Sequence, residues 1–448
     1  MLKANVFRKL AVVCICIAIL AGCSQGESKK ISNSSDESNP QAATPANPKD
    51  IKAKITVWTW ESRDNQKKII DDFNKEYPGI EVTFTNVEAN DMITKLQTAM
   101  ASGSDLPDVA WLEIANRGKL IDLGIWEDLS AAPYNVKKED LLDFMIPLST
   151  SKEGKLVGVE VSPPFAGLSY KRDLAKQYLG TDDPAELEKM LKDWNAFTEK
   201  GKQVKEQSGG TVFMFPGVSE IVNILKGQNT IPLVKEGKLN VKESLTPILT
   251  RALDMQKAGL VDKLEGDTPS YLASFAAKKH IFYSAATWAP TWRIKANDKN
   301  GSGNWGVMAA PGGGFLAGGT VVAIPQKAKN KQAAFEYIKW TYMSEKGAIS
   351  NRDNLEYFNT MKSTYKDSTF YSKSDPFFNG QDVQKKFAEI APSVIVGPPV
   401  TKYDKEINGA IDLAIKTINS NEKGTLSAES LINSMEKDII SQVPELKK

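Results

Sequence analysis

From residue 51 the chain alternates between two hydrophobic periods, and that alternation limits its fold more than any other feature. Residues 55–60 (ITVWTW) read as a strand. Residues 61–77 follow as a helix with Ile69, Ile70 and Phe73 on one face, stopped by Pro78-Gly79. Residues 80–86 form a second strand. Residues 91–101 form a second helix, with Met92, Leu96, Ala99 and Met100 inward, and DVAW within 107–112 a third strand. Short links between the two kinds of element predict a mostly parallel sheet covered on both faces, an α/β architecture. Ligands gather beyond the carboxyl ends of strands in such sheets. Trp60-Glu61 and Trp111-Leu112-Glu113 sit at those ends.

The middle of the chain changes character. Residues 156–160 (LVGVE) read as a strand, Pro163-Pro164 break it, and GLSY at 167–170 resumes it, as a crossing between lobes would. Residues 171–300 are largely helical, at 184–207, 218–226, 241–258 and 269–279. A strand at 279–284 (KHIFYS) leaves as a loop towards Trp288. Trp305 to Pro311 then runs into GGGFLAGG, and Gly318-Gly319-Thr320 opens the strand VVAIP before a helix at 330–343. The glycine run is no phosphate loop, since no Gly-Lys-Ser/Thr follows it. Helices at 381–391, 403–418 and 428–439 close the chain, the middle one with a stripe of Ile407, Ile411, Ala414, Ile415 and Ile418. No tandem repeat of short period is present.

The amino terminus carries an address. Lys3, Arg8 and Lys9 precede eleven apolar residues at 10–20, then Ala21-Gly22-Cys23. An apolar core of this length is too short to span a bilayer and reads as an export signal over 1–22. Residues 23–50 are rich in Ser, Asn, Pro and charge, a composition that cannot order a backbone, so they read as a flexible linker. Cysteines occur only at 14, 16 and 23, which leaves the exported body without disulfide, thiolate metal site or cysteine nucleophile. Removing the three signal cations takes the formal charge from +2 to −1, too little basic excess to hold nucleic acid.

These segments together resemble one family. The Leu-Ala-Gly-Cys ending resembles a bacterial lipoprotein signal, which implies lipid on Cys23. ITVWTWE, FNKEYPGIEV, LQTAMASGSDLPDV, KLVGVEV, GLSYKRDL, FAAKKHIFYSAATW, NWGVMAAPGG and GGTVVAIP, in that order, resemble the extracellular solute-binding proteins of bacterial ABC sugar importers, family 1, the group that includes the maltose-binding protein. The resemblance covers nearly everything from Ile51 onward. It implies a two-lobed periplasmic-binding-protein-like fold of type II. One lobe is 51–161 plus 309–356, the other 166–304 plus 364–448, with hinge crossings at 161–166, 304–309 and 356–364. It further implies an extracytoplasmic monomer, lipid-anchored to the cell membrane, that closes on an oligosaccharide and meets the transmembrane subunits of an ABC permease. It implies no cofactor, no metal and no catalysis.

A sugar needs flat rings for its C–H faces and acceptors and donors around its rim. Trp288 lies where the family stacks a ring, and Trp292 is a second plate. Trp60, Glu61, Trp111, Glu113 and Asn116 are strand-end candidates, Glu160 lies at the first crossing, and Gly318-Gly319-Thr320 offers bare N–H groups. Tyr357, Phe358 and Phe378 are further aromatic candidates. Trp58, Trp194, Trp305, Trp340 and His280 are expected in the core, and Arg293 as a solvated charge. The chain departs from the maltose-binding pattern: Glu113 and Asn116 stand near an acidic-basic pair of the family, and no tryptophan follows Trp340. Two other readings compete: the same fold holding a non-sugar or anionic solute, and an exported glycoside hydrolase using Glu61, Glu113 and Glu160, whose carboxyls would have to stand roughly 5 Å apart or somewhat more.

Overall fold

The computed structural model describes residues 47–421 and 425–446, so the signal segment, Cys23 and most of the linker lie outside the described residues. The first strands are β1 (Ala53–Thr59), β2 (Ile80–Asn86), β3 (Val109–Glu113), β4 (Gly158–Glu160) and β5 (Phe165–Lys171). A small hairpin, β6 (Val234–Lys235) and β7 (Lys238–Leu239), precedes β8 (Phe282–Ala286), β9 (Trp305–Met308), β10 (Phe315–Leu316) and β11 (Thr320–Ala323).

Two principal sheets result. The first has the order β2-β1-β3-β11-β4. Side-chain alternation buries both of its faces: Val109, Trp111 and Val322 enter one apolar cluster, while Ala110, Leu112 and Val321 enter another behind it. β1 pairs in parallel with β2 and β3, as the alternation predicts, but β11 runs antiparallel to both β3 and β4. The expectation of a mostly parallel sheet therefore holds only for its first three strands. β3 and β4 run towards the cleft, and β11 returns from the other lobe and must start there, so it enters in the opposite sense.

In the second sheet β5 is buried along its whole length and lies between β8 on one side and β9 with β10 on the other, all antiparallel. Residues 213–215 extend it through parallel bridges to His280 and Val261. Helix Val383–Ile390 covers one face with Phe387 and Ile390, and helix Asp404–Asn419 buries its predicted isoleucine stripe.

These pairings locate the crossings. The chain passes from β4 to β5 through 161–164. Residues 304–309, expected as a second crossing, are instead mostly β9, hydrogen-bonded to β5 inside the second sheet. The passage back runs from β10 to β11 through Ala317-Gly318-Gly319, where φ values of 91° and 125° at the two glycines are open to few other residues. In the stretch expected as a third crossing, the Phe358 amide donates to Ser162 Oγ at 3.1 Å, tying that stretch to the first crossing.

Local capping corrected several boundaries. Helix Arg63–Glu76 starts two residues later than its periodicity predicts, because the Ser62 side chain accepts from the Asn65 amide. This leaves Trp60 and Glu61 in the turn after β1. The helix expected over 184–207 is two, since Asp193 caps a new start at Trp194. The helix expected over 269–279 stops at Ser274, and the strand after it starts at Phe282.

Candidate ligand cleft

A cleft of about 310 Å³ lies where the carboxyl ends of the first sheet face the turn after β8, with the first crossing between them. On the first side, Trp60 and Glu61 leave β1, the Glu61 amide donating to Thr59 Oγ1 at 3.0 Å. Trp60 meets Trp111 edge to face, with ring centroids 5.4 Å apart. Trp111 borders the cleft yet is almost wholly buried, and its indole N–H has no hydrogen-bond partner among the described residues.

Opposite stands Trp288, in the turn that leads into a wide helical segment, Pro290–Lys295. Its Nε1 donates to Ala317 O at 3.4 Å. Its ring carries the Arg293 guanidinium 5.6 Å from the centroid, and Arg293 is ion-paired to Asp267. Arg293 is thus held between a ring and a carboxylate rather than solvated. Trp292 lies one turn on, half exposed. Tyr357, just after helix Glu345–Leu355, completes the aromatic lining; burial and the charge of Glu61 push its hydroxyl well above the usual range.

Gly319 and Thr320 form the floor. Beneath Gly319 lies a buried ion pair, Arg117 Nη1 to Glu160 Oε2 at 3.3 Å, both side chains wholly buried. A Cβ on Gly319 would stand 2.7 Å from Glu160 Oε1 and 3.2 Å from Arg117 Nη2. The Arg117 Nε also donates to Leu112 O at 3.2 Å, and Glu160 accepts from the Thr320 amide. Burial pushes the Glu160 carboxyl upward, against the pull of Arg117.

The sequence candidates therefore divide. Trp60, Glu61, Trp111, Trp288, Trp292, Gly319, Thr320 and Tyr357 line one cleft. Gly318 stands beside it, close to Trp288 Nε1. Glu160 lies under the floor, consumed by Arg117. Glu113 caps helix Ile114–Asp122, accepting from the Ala115 amide at 2.8 Å, and burial raises its pKa. Asn116 is buried against Ala89 O and Asn90. Phe358 packs on Phe165 and Tyr371, and Phe378 is fully buried beneath Lys295, because the core behind the second sheet draws both rings inward. Trp58, Trp194, Trp305 and Trp340 are buried, and His280 is buried against Asp262.

Sequence reasoning did not single out Asn65, Val161, Ser162 or Pro164 as lining residues. Asn65 was findable: it lies four residues after Glu61, and its Nδ2 donates to Glu61 Oε2 at 3.1 Å. Among the described residues no group of three His, Cys, Asp or Glu side chains is placed to hold a metal ion.

Solved structures share this fold. A protein described as an extracellular solute-binding protein of family 1 superposes with a TM-score of 0.78 at 20% identity, over 87% of this chain and 99% of that one. The sugar-binding protein MalE of Xanthomonas citri gives 0.70 at 19% identity, over 87% and 98%. An ABC transporter-associated binding protein of B. animalis subsp. lactis Bl-04, solved with β-1,6-galactobiose, gives 0.66 at 16% identity, over 88% and 98%. No curated protein sequence matches the chain. Residues 68–377, more than half of its length, match the sequence profile described as bacterial extracellular solute-binding protein. With a cleft of rings and hydrogen-bonding groups between two α/β lobes, the chain belongs to the bacterial extracellular solute-binding proteins, a family of non-catalytic binders.

Proposed function

We propose that this protein captures an oligosaccharide between its two lobes and delivers it to the transmembrane subunits of an ABC importer, held at the cell membrane by lipid on Cys23. The observation that carries the reading is the convergence of five aromatic rings, Trp60, Trp111, Trp288, Trp292 and Tyr357, on one cleft from both lobes and a crossing. Rings suit the C–H faces of sugar units, and Glu61, Asn65, Ser162 and Thr320 supply acceptors and donors for hydroxyls. The lobes close about 161–164, 317–319 and the stretch before Lys362, as hinged binding proteins do. Fold relatives solved with β-1,6-galactobiose, with cycloalternan and with lacto-N-biose favour a sugar over other solutes.

A panel of oligosaccharides screened by thermal shift tests this, since a bound solute raises apparent stability by mass action. Trp288→Ala weakens binding of the best sugar at least tenfold in titration calorimetry and also lowers the unliganded melting temperature, since the indole packs against the cores of both clusters behind it. Wild-type affinity in that variant removes Trp288 from the site. Cys23→Ala releases the protein from the membrane fraction; its retention there overturns the anchor.

A further inference from the structure

Charge in the cleft is one-sided. Glu61 is the only charged residue among its lining side chains, and no Lys, Arg or His borders it among the described residues. The Glu61 carboxylate receives one hydrogen bond, from Asn65, and no described cation lies in ion-pair distance of it. The nearby guanidiniums are already engaged. Arg117 sits below the floor against Glu160, with Glu113 adding a further carboxylate beside Thr320, its partner across the β3–β11 ladder. Arg293 lies against Trp288 and is neutralised by Asp267. On the same side, Lys295 is paired with Asp375 at 2.7 Å.

A lone carboxylate that shares a cleft with several tryptophan rings makes an environment for a cation. Each ring face carries negative electrostatic potential, tryptophan most of all, and the attraction grows as water is excluded. A neutral sugar satisfies the rings and leaves the carboxylate with hydroxyls alone. A sugar with a protonated amine satisfies both, and an anionic sugar meets repulsion. Resting on the oligosaccharide reading above, we infer that the cleft selects amine-bearing sugars, with Glu61 as the counter-charge and the rings of Trp60 and Trp292, which carry no cation of the chain's own among the described residues, as cation-accepting plates.

Three disaccharides of one backbone isolate the substituent: β-1,4-linked glucosamine disaccharide with free amines, its N-acetylated counterpart, and cellobiose. Titration calorimetry at pH 6.5 and low salt is expected to show the free amine binding at least tenfold more tightly than cellobiose, with the acetylated form no better than cellobiose. Glu61→Gln is expected to bring the amine-to-hydroxyl ratio within threefold of unity. Circular dichroism of the unliganded variant checks that it is folded, and Glu61→Asp, which keeps the charge, restores part of the ratio. Cellobiose binding as tightly as the amine, or a ratio unchanged in Glu61→Gln, overturns the inference and leaves the sugar reading standing. No binding by any of the three overturns the inference as well. Choline, run as a non-sugar ammonium, separates the two failures: choline binding where no saccharide binds overturns the sugar reading too.

Discussion

Two arginine–carboxylate pairs flank the cleft, and they differ in almost everything except composition. Arg117 and Glu160 lie under the floor with both side chains wholly buried. Arg293 and Asp267 lie behind the opposite wall, with side-chain exposures of 28% and 74%. A buried pair loses hydration on both partners, so its worth depends on each partner finding the other. An exposed pair sits in high dielectric, and its contribution is typically about 0–1 kcal/mol. The first pair therefore matters to folding and fixes the floor through Glu160 and the Thr320 amide. The second matters to the orientation of one ring.

Removing one partner of the floor pair has the larger consequence. Arg117→Met leaves the Glu160 carboxylate buried and uncompensated, and the expected loss of stability is about 3–5 kcal/mol, read from the urea midpoint. Replacing Glu160 by Leu in the same variant recovers most of that loss, since two apolar side chains need no hydration. Recovery stays incomplete because the Thr320 amide and Leu112 carbonyl lose partners. A loss below about 1 kcal/mol in the single variant would place the pair in the same class as the exposed one.

Lys171 sharpens the contrast, because it is a buried cation whose amino group donates to a carbonyl, that of Ala277, rather than pairing with a carboxylate. It also lies 5.2 Å from the Trp305 ring centroid. Burial lowers its pKa from 10.5 to about 8. The folded protein thus holds this proton less tightly than the unfolded chain does. Stability is penalised below pH 8, rises between about 8 and 10.5, and gains on the order of 3 kcal/mol across that window. Lys171→Met removes this rise. Unfolding midpoints of both proteins at pH 7.5 and pH 10 measure it, and parallel pH profiles sink the assignment.

The sequence made the ends of β1 and β3 legible, because alternation places strand ends and strand ends place Trp60, Glu61 and Trp111. The indole of Trp288 was equally plain, as the first ring after a strand. Glu61 and Glu160 both stand at the end of a strand, yet Glu61 lines the cleft and Glu160 lies under it. Only the partner separates them, and Arg117 lies 43 residues away in sequence. Phe358 and Phe378 looked like ring plates because aromatic character does not tell which side of a sheet a ring faces. The second crossing was misplaced because pairing of β9 with β5 leaves no local mark, whereas the two glycines before β11 mark the true passage by their backbone angles. Asn65 was missed because its relation to Glu61 depends on where helix Arg63–Glu76 begins, and Ser62 sets that start.

The smallest expected effect concerns the wall pair. Asp267 has φ of 63°, a left-handed conformation that asparagine tolerates well, so Asp267→Asn removes the charge without backbone strain. The expected change in stability is below about 0.5 kcal/mol. The consequence belongs to Trp288. Without Asp267 the guanidinium is free to leave the ring and turn towards solvent, and the indole keeps only its bond to Ala317 O and its neighbours in the core. With 5-fluorotryptophan incorporated, the Trp288 fluorine resonance, assigned by Trp288→Phe, is expected to broaden or split in the unliganded Asp267→Asn protein. The Trp305 resonance, from a fully buried ring, serves as the fixed reference. An unchanged Trp288 line would show that the indole needs no support from behind, and the wall pair would then be ordinary surface electrostatics.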